Sequence, residues 1–225
     1  MKERPILFST DMIRAIPKGT TQTRRTRGLG GINKYPNAWR FSGEFNGLFG
    51  FEHESGTITT IKCPYGQAGD RLWVRETWRY LPNEAIENPY ASNPKLWYLA
   101  DFNTKHNFCY PWKPSIHMPR WASRFLLEKT SDRPPERLQE ISFEDCLSEG
   151  LLGLDVDVIK QFTEDWVLPC ADDKVPVDEL ADELDSEIHH IFMKYWDFLN
   201  AKRGYGWDTN PWVWVIEFTQ IKEGV

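Results

Sequence analysis

The sequence predicts an α+β fold, most simply a small β-barrel with helices at its ends. Short β-type segments outnumber the helical ones, and the two do not alternate in the regular order of a parallel α/β protein. The stretch 210–218, NPWVWVIEF, is apolar on both faces and rich in β-forming residues, which predicts a buried central strand. With 225 residues, 40% of them hydrophobic, the chain can form one domain over 1–225 around a packed core.

Local signals predict the first elements of the chain. Ser9 or Thr10 can cap a short helix over 11–16, which Pro17 and Gly19 end. A polar, threonine-rich strand or loop, TTQTRRTR, follows this helix, and a glycine-rich region extends from there to about residue 50.

Three further strands are predicted before the second half of the chain. The first is GDRLWVRETW, entered through a Gly69–Asp70 turn, and the others are 97–101 and 124–130. These segments are short, and no βαβ rhythm joins them, which is typical of an α+β chain.

Two more helices are predicted downstream. In ISFEDCLSEGL, Ser142 is the cap, Asp145 closes a capping box and Gly150 terminates the helix. Apolar residues recur at helical spacing over 187–200, which predicts an amphipathic helix.

Charge is distributed unevenly along the chain. The net charge is −6, but residues 136–187 hold 17 acidic and 3 basic side chains, a balance of −14, so the remainder carries +8. A basic, aromatic-rich remainder attracts polyanions in a salt-sensitive manner. The most acidic part, about 153–187, is interpreted as an insertion: either a solvated surface segment, a protein-binding arm, or an electrostatic guard that keeps bulk nucleic acid off the basic face.

Several protein classes are excluded by what the sequence lacks. The four cysteines never form CxxC, so no zinc ribbon or thioredoxin motif is present, and we expect no metal or cofactor. The longest uninterrupted apolar stretch, Trp212 to Ile216, is far too short to cross a bilayer, and no signal peptide is recognisable. We therefore expect a cytoplasmic protein without a membrane partner.

The first candidate site segment is the threonine-rich stretch itself. As a strand it turns Thr21, Thr23 and Arg25 to one face and Gln22 and Arg24 to the other. Arginine binds phosphate or a base edge through paired donors, which suits a pocket wall. An exposed edge strand is the alternative.

The second candidate segment is WKPSIHMPRW, residues 112–121. Its two prolines restrict the backbone, so Ser115, His117 and Arg120 are presented rigidly, and Trp121 follows them as a further candidate. Tryptophan, histidine and arginine together can stack on a base and contact its phosphate. A structural role is the alternative for His117.

Three further residues complete the candidate set. Arg75 and Trp78, in the predicted strand 69–78, are expected to contribute to the same cleft. Glu149 follows the helix capped by Ser142, where the helix dipole disfavours a negative charge, which suits a general acid; a plain surface glutamate is the alternative.

These blocks resemble a known family. FSTDMIRAI, TQTRR, CPYGQAGDRLWVRETW, WKPSIHMPRWASR, ISFEDCLSEG and NAKRGYGWDTNPWVWVIEF together look like the ASCH domains of the PUA-like superfamily, in particular the longer versions common in phages and prophages. The resemblance implies a compact, partly open β-barrel with flanking helices and a cleft beside the helix before Gly19. It also implies binding of RNA or of modified bases, in the cytoplasm of a bacterial host.

The resemblance carries an enzymatic alternative. One small bacterial ASCH protein removes the acyl group from acetylcytidine, and another is described as a ribonuclease. By position, Thr23 matches the nucleophilic threonine of the amidohydrolase and Glu149 its proton donor, whereas Thr20 stands where that enzyme has its lysine. Without that base the hydroxyl is a weak nucleophile. The sequence therefore favours binding of RNA or a modified nucleoside or nucleotide, with a hydrolase, or an interaction module using 153–187, as alternatives.

Overall fold

The computed structural model describes residues 1–81, 95–102, 111–151 and 177–221, with side chains of the last range from residue 186 onward. Helices and strands both contribute substantially, which confirms the α+β class. The strands are β1 Glu3–Leu7, β2 Gln22–Arg25, β3 Trp39–Phe45, β4 Leu48–His53, β5 Ile58–Ile61, β6 Arg71–Arg75, β7 Trp78–Tyr80, β8 Leu96–Tyr98, β9 Leu126–Lys129, β10 Glu136–Arg137 and β11 Trp212–Ile221. The α-helices are α1 Thr10–Ala15, α2 Gly30–Asn33, α3 Phe143–Ser148 and α4 Val177–Asn200.

Six strands form the main sheet, in the order β1-β6-β9-β11-β10 with β2 also paired to β11. The predicted central strand is confirmed, because β11 pairs with β9, β10 and β2 along its length. Its side chains alternate between two cores: Trp214 and Ile216 pack in one, against α1, whereas Val213 packs in the other, against α3 and α4.

The main sheet does not close. A three-stranded sheet, β3-β4-β5, and a two-stranded sheet, β7-β8, accompany it, and none of the three forms a closed barrel over the described ranges. The finer prediction of a partly open, PUA-like barrel therefore stays a prediction. β1 lies at one edge of the main sheet and runs parallel to β6, from Glu3 opposite Arg71 to Leu7 opposite Arg75.

The glycine-rich region contains two strands, β3 and β4, that its composition does not predict. β3 and β4 form a hairpin whose turn residues, Asn46 and Gly47, have φ values of +53° and +74°. An Asn-Gly pair between apolar segments is the strongest short-range hairpin signal, because both residues tolerate positive φ.

The predicted helix caps are present, with one correction. Ser9 caps α1 by accepting a hydrogen bond from the Met12 N–H, and Ser142 caps α3 by accepting one from the Asp145 N–H. The capping box predicted for Asp145 is wrong, because its carboxylate is hydrogen-bonded to Arg24 and Arg133 instead.

The last helix is longer than predicted. α4 begins at Val177 rather than at 187, so it includes the end of the predicted insertion 153–187. Residues 152–176 lie outside the described residues, and the domain prediction for that part stays untested. In the part of the chain that the structure describes, no helix has both the length and the apolar character needed to span a bilayer.

Candidate functional site

A cavity of about 450 Å³ lies between the edge strand β1, the start of α1, the end of β2, the proline-rich segment and the C-terminal part of α4. Its lining residues are Pro5, Leu7, Phe8, Ser9, Met12, Arg24, Arg25, Thr26, Arg27, Tyr65, Ser115, Ile116, Glu149, Leu151, Phe192, Tyr195, Trp196, Leu199, Asn200 and Arg203. Ligand pockets for small molecules have volumes of about 300–1,000 Å³, so this one can hold a nucleotide-sized ligand.

Arg24 lies at the inner end of the cavity and is the centre of an ion-pair network. Its side chain is 0% exposed, and its guanidinium donates to three carboxylates. Nη1 lies 3.0 Å from Oε1 of Glu149, Nη2 lies 2.7 Å from Oδ2 of Asp145, and Nε lies 3.0 Å from Oε1 of Glu136. The positive charge of Arg24 is therefore neutralised within the protein.

A second arginine extends this network toward the surface. Arg133 donates through Nη2 to Glu136 and Asp145, at 2.9 and 3.0 Å, and through Nη1 to Glu217 at 3.3 Å. Its hydrogen bond and that of Arg24 hold the pKa of Asp145 below its usual value, although burial acts in the opposite direction. Two arginines thus lock α3, β2 and the turn before β10 together.

Arg25 differs from Arg24 in its hydrogen-bond partners, which in the described part of the chain include backbone carbonyls and no carboxylate. Its Nη1 donates to the Arg24 carbonyl and its Nη2 to the Leu7 carbonyl, each at 3.0 Å, and the guanidinium lies 5.2 Å from the centre of the Phe8 ring. Among the described residues no carboxylate oxygen lies within 4 Å of it. Burial lowers the pKa of Arg25, so an anion in the cavity would stabilise its charged form.

Two exposed arginines, Arg27 and Arg203, line the cavity beside Arg25. Within the described ranges neither has a carboxylate within 4 Å. The indole N–H of Trp214 donates to the Arg27 carbonyl at 2.9 Å and fixes the backbone there. Among the described residues, three arginines that line the cavity therefore have no carboxylate within 4 Å, although Glu149 acts on Arg25 at longer range and opposes the lowering of its pKa by burial.

Glu149 is the acid that lines the cavity. It is the C-cap of α3, and only 9% of its side chain is exposed. Burial raises the pKa of its carboxyl, although the ion pair with Arg24 opposes that shift. The carboxyl can accept hydrogen bonds from a ligand when ionised and can donate one when protonated.

The rest of the cavity wall consists of aromatic side chains and of the hydroxyl groups of Ser9 and Tyr195. Phe8, Tyr65, Phe192, Tyr195 and Trp196 all line the cavity and are buried. The Tyr195 hydroxyl lies 3.3 Å from Ser9 Oγ, and burial raises the Tyr195 pKa to about 12, so the phenol stays neutral at physiological pH. Flat apolar surfaces with a few polar atoms suit a planar heterocycle.

The structure brings together four of the residues predicted from sequence. Arg24, Arg25, Ser115 and Glu149, which are distant along the chain, all line the cavity. Seven others do not line it: Thr21, Thr23, Arg75, Trp78, His117, Arg120 and Trp121.

The two threonines are separated from the cavity by their position in and beside β2. Thr23 is 0% exposed and lies opposite Ile216 of β11, within the sheet. Thr21 is exposed, and its carbonyl accepts the Phe218 N–H at 2.7 Å. A ligand in the cavity does not reach the Thr23 hydroxyl in this conformation.

The other five residues that do not line the cavity differ in burial and in their contacts. Trp78 is buried in a small core with Tyr98 and Met118, whereas Trp121 is 62% exposed and contacts Trp78 edge-on at 5.9 Å between ring centres. His117 is exposed. Arg75 donates to the Ile116 carbonyl at 3.2 Å, and Arg120 forms an ion pair with Glu3 at 2.8 Å.

Several cavity residues were not predicted as site residues. In the sequence, Tyr195 and Leu199 are recognisable only as part of the apolar face of the last helix. Tyr65 and Arg203 lie in blocks of the family resemblance, but no feature of those blocks predicts a site role for them. The signal that α4 offers is a cluster of large aromatics, Phe192, Tyr195 and Trp196, close to a glycine-rich end with two basic residues. This aromatic cluster does not reveal which strand the helix packs against, so the sequence does not place it in the cavity.

No group of three or more histidine, cysteine, aspartate or glutamate side chains able to hold a metal ion occurs in the described part of the chain. Comparisons with protein-family models, with curated proteins and with solved structures find no match to this chain.

Proposed function

We propose that this protein binds a nucleotide, either free or as part of an RNA strand, in the cavity beside α1. The observation that carries this proposal is the pairing of uncompensated arginines with aromatic walls in one hollow of nucleotide size. Arg25, Arg27 and Arg203 suit the phosphate, and the rings of Phe8, Tyr65 and Phe192 suit the base.

The contrast between two neighbouring arginines supports an anionic ligand. Arg24 is compensated by three carboxylates, whereas within the described residues Arg25 donates to carbonyl oxygens and to the Met12 sulfur. A half-buried guanidinium without a counter-ion is costly, and a bound phosphate offsets that cost.

Polar groups around the rings support recognition of a base edge. Glu149 offers an acceptor, the Ser9 and Tyr195 hydroxyls can donate or accept, and the Asn200 side chain is held by its Nδ2 bond of 3.1 Å to the Trp196 carbonyl. Donors and acceptors at fixed positions distinguish one base, or one modified base, from another.

The resemblance to the PUA-like group is consistent with this position. It implies a cleft beside the helix before Gly19, and Ser9 and Met12, at the start of α1, line the cavity. We infer on the same grounds that the α+β fold is a PUA-like one and that the protein acts on RNA-related ligands, as phage-type members are expected to do.

The alternatives have less support. A hydrolase that uses Thr23 as nucleophile is disfavoured, because that hydroxyl is buried away from the cavity. A protein-binding role for 153–187 rests on residues that lie mostly outside the described ranges, and none of the contacts in those ranges favours it.

The test is a calorimetric titration of the purified protein with the four ribonucleoside monophosphates, the matching nucleosides and ribose 5-phosphate at low salt. We expect monophosphates to bind more tightly than nucleosides and than ribose 5-phosphate, because the site needs both phosphate and ring. Arg25→Gln should weaken monophosphate binding about 10- to 150-fold, the loss of one charged hydrogen-bonding group.

Arg40→Gln is the matched control, because Arg40 is exposed and pairs with Glu52 on the separate three-stranded sheet. It should leave the affinity unchanged. Absence of binding of all these ligands to folded protein at low salt would refute the proposal, as would equal affinity for ribose 5-phosphate.

A further inference from the structure

We propose that the ligand is a single-stranded nucleic acid longer than one nucleotide, and that Trp121 stacks a base adjacent to the nucleotide in the cavity. This inference rests on the proposed function and goes beyond it, since it assigns a second subsite outside the cavity. The observation behind it is an exposed tryptophan whose ring packs against Trp78 and Tyr80 and which lies five residues after the cavity-lining Ile116.

Trp121 is exposed, but its ring packs edge-on against two other aromatic rings. Its side chain is 62% exposed, yet its ring is nearly perpendicular to those of Trp78 and Tyr80, at centre distances of 5.9 and 6.3 Å. Trp78 is 4% exposed and anchors the pair in a core with Met118 and Ala122. A rigid exposed indole loses little side-chain entropy when a base stacks on it, and every base has a face that can stack.

We call the exposed ring of Trp121 the platform. The proline-rich segment links it along the chain to residues that line the cavity. Ser115 and Ile116 line the cavity, and the next turn of the chain, Arg120–Ala122, carries Trp121. Arg120 binds Glu3 of β1, and Pro5, two residues further along that strand, lines the cavity. Two strand residues span about 7 Å, so Glu3 and the Arg120 guanidinium paired with it lie close to the cavity wall, and Trp121 is the next residue of the chain.

The charge around the platform suits the phosphates of a strand. Lys113 has its Nζ 5.0 Å from the centre of the Trp78 ring, and Arg75 donates to the Ile116 carbonyl between the platform and the cavity. Within the described ranges neither has a carboxylate within 4 Å, and the nearby Glu3 is paired with Arg120. Positive side chains beside an exposed aromatic ring are features with which proteins bind single strands.

The experiment compares a ribonucleoside monophosphate with a pentaribonucleotide of the same base and with its deoxy counterpart. The wild-type protein should bind the pentanucleotide more tightly than the monophosphate, and the RNA and DNA arms show whether the sugar matters. Trp121→Ala should weaken pentanucleotide binding about 5- to 150-fold, the loss of one stacked base, and leave monophosphate binding within twofold.

Two variants accompany Trp121→Ala. Tyr35→Ala removes an aromatic ring that is 61% exposed and does not line the cavity, so it should change neither affinity. Lys113→Gln should reduce the slope of log affinity against log salt concentration by about 1 for the pentanucleotide and leave monophosphate binding unchanged.

Equal affinity of the wild-type protein for the monophosphate and the pentanucleotide, or an unchanged pentanucleotide affinity in Trp121→Ala, would overturn this inference while leaving the proposed function intact. Failure of both ligands to bind would instead overturn the proposed function. The two failures are therefore distinguishable in one set of titrations.

Discussion

Arg24 and Glu149, which are 125 residues apart in sequence, form an ion pair of 3.0 Å at the inner end of the cavity. The pair joins β2 to the end of α3, and Asp145 and Glu136 complete the coordination of the guanidinium. Because Arg24 is neutralised in this way, the positive potential in the cavity comes from Arg25 and from the exposed arginines at its edge. The two adjacent arginines of β2 thus differ in surroundings: Arg24 belongs to the ion-pair network that joins β2 to α3, and Arg25 is the one that we propose to bind the phosphate of a ligand.

The first prediction concerns the structural role of Arg24. Arg24→Met should destabilise the protein by about 3–5 kcal/mol, because it leaves Glu149 without its ion-pair partner and leaves Glu136 and Asp145 with Arg133 alone. Urea unfolding monitored by circular dichroism measures this change. Arg40→Met is the control, since that ion pair is exposed and should contribute at most about 1 kcal/mol. Equal effects of the two substitutions would contradict the structural role of Arg24.

The second prediction concerns pH, because two acids bound to Arg24 have pKa values that are shifted in opposite directions. The pKa of Glu149 is raised by burial, so its carboxyl contributes stability at low pH that is lost as pH rises through the folded-state pKa. The pKa of Asp145 is lowered by Arg133 and Arg24, so its contribution is present above the unfolded-state pKa of about 3.9 and is lost on acidification.

Substitutions should therefore show opposite trends with pH. Relative to the wild-type protein, Glu149→Gln should become more stable as pH rises above about 4.3, where unfolded glutamate ionises. Asp145→Asn should be destabilised at pH 7, and the difference should shrink as pH falls below about 3.9. Free energies of unfolding in urea at a series of pH values between about 3 and 8 measure both trends; parallel trends would be inconsistent with the burial and pairing described above.

Some elements could be predicted from sequence because their signals are local. Ser9, Gly19 and Ser142 mark helix ends through their own backbone and side-chain chemistry, and β11 is recognisable from its apolar pattern. The β3–β4 hairpin also had a local signal, Asn46–Gly47, which the glycine-rich composition obscured.

The site depends on contacts that no local pattern contains. Arg24 and Arg25 are adjacent residues of the same type, and the sequence cannot tell which is neutralised, because the carboxylates that decide it lie 112 to 125 residues away. For the same reason Asp145 was assigned to a helix cap although its side chain belongs to the arginine network. The grouping of Arg25 with Ser115 and Glu149 likewise depends on how β1, α3 and α4 pack around β2.

The third prediction separates the cavity arginines by their sensitivity to salt. Arg203 is exposed, so its attraction for a phosphate is screened when the Debye length falls from about 10 Å at 0.1 M salt to about 3 Å at 1 M. Arg203→Gln should weaken nucleotide binding at low salt and have little effect at 1 M. Arg25 is partly buried and, in the proposed complex, contacts the ligand directly, so Arg25→Gln should weaken binding at both salt concentrations. Calorimetric titrations at the two concentrations test this, and equal salt dependence of the two variants would show that they do not differ in exposure to solvent when the ligand is bound.

The last prediction concerns Gly150, which follows Glu149 and has a φ of +90°. A Cβ at this position would lie 2.0 Å from Thr20 Oγ1 and 3.1 Å from Ala15 Cβ, so alanine is disfavoured both by backbone conformation and by overlap with a buried neighbour. The left-handed conformation costs a non-glycine residue about 1–2 kcal/mol, and overpacking adds about 1–3 kcal/mol.

Gly204 provides the control for Gly150, because its φ is +80° and a Cβ there meets no atom within 4 Å. Gly204→Ala should therefore show the backbone cost alone, and Gly150→Ala should be less stable than it by about the overpacking cost. Relief of the overlap must also displace the end of α3 or the Thr20 turn, and either movement shifts Glu149 relative to Arg24. Gly150→Ala should consequently weaken nucleotide binding as well as stability. If urea unfolding gives the same free energy for both variants, the close packing of Gly150 against Thr20 is incorrect.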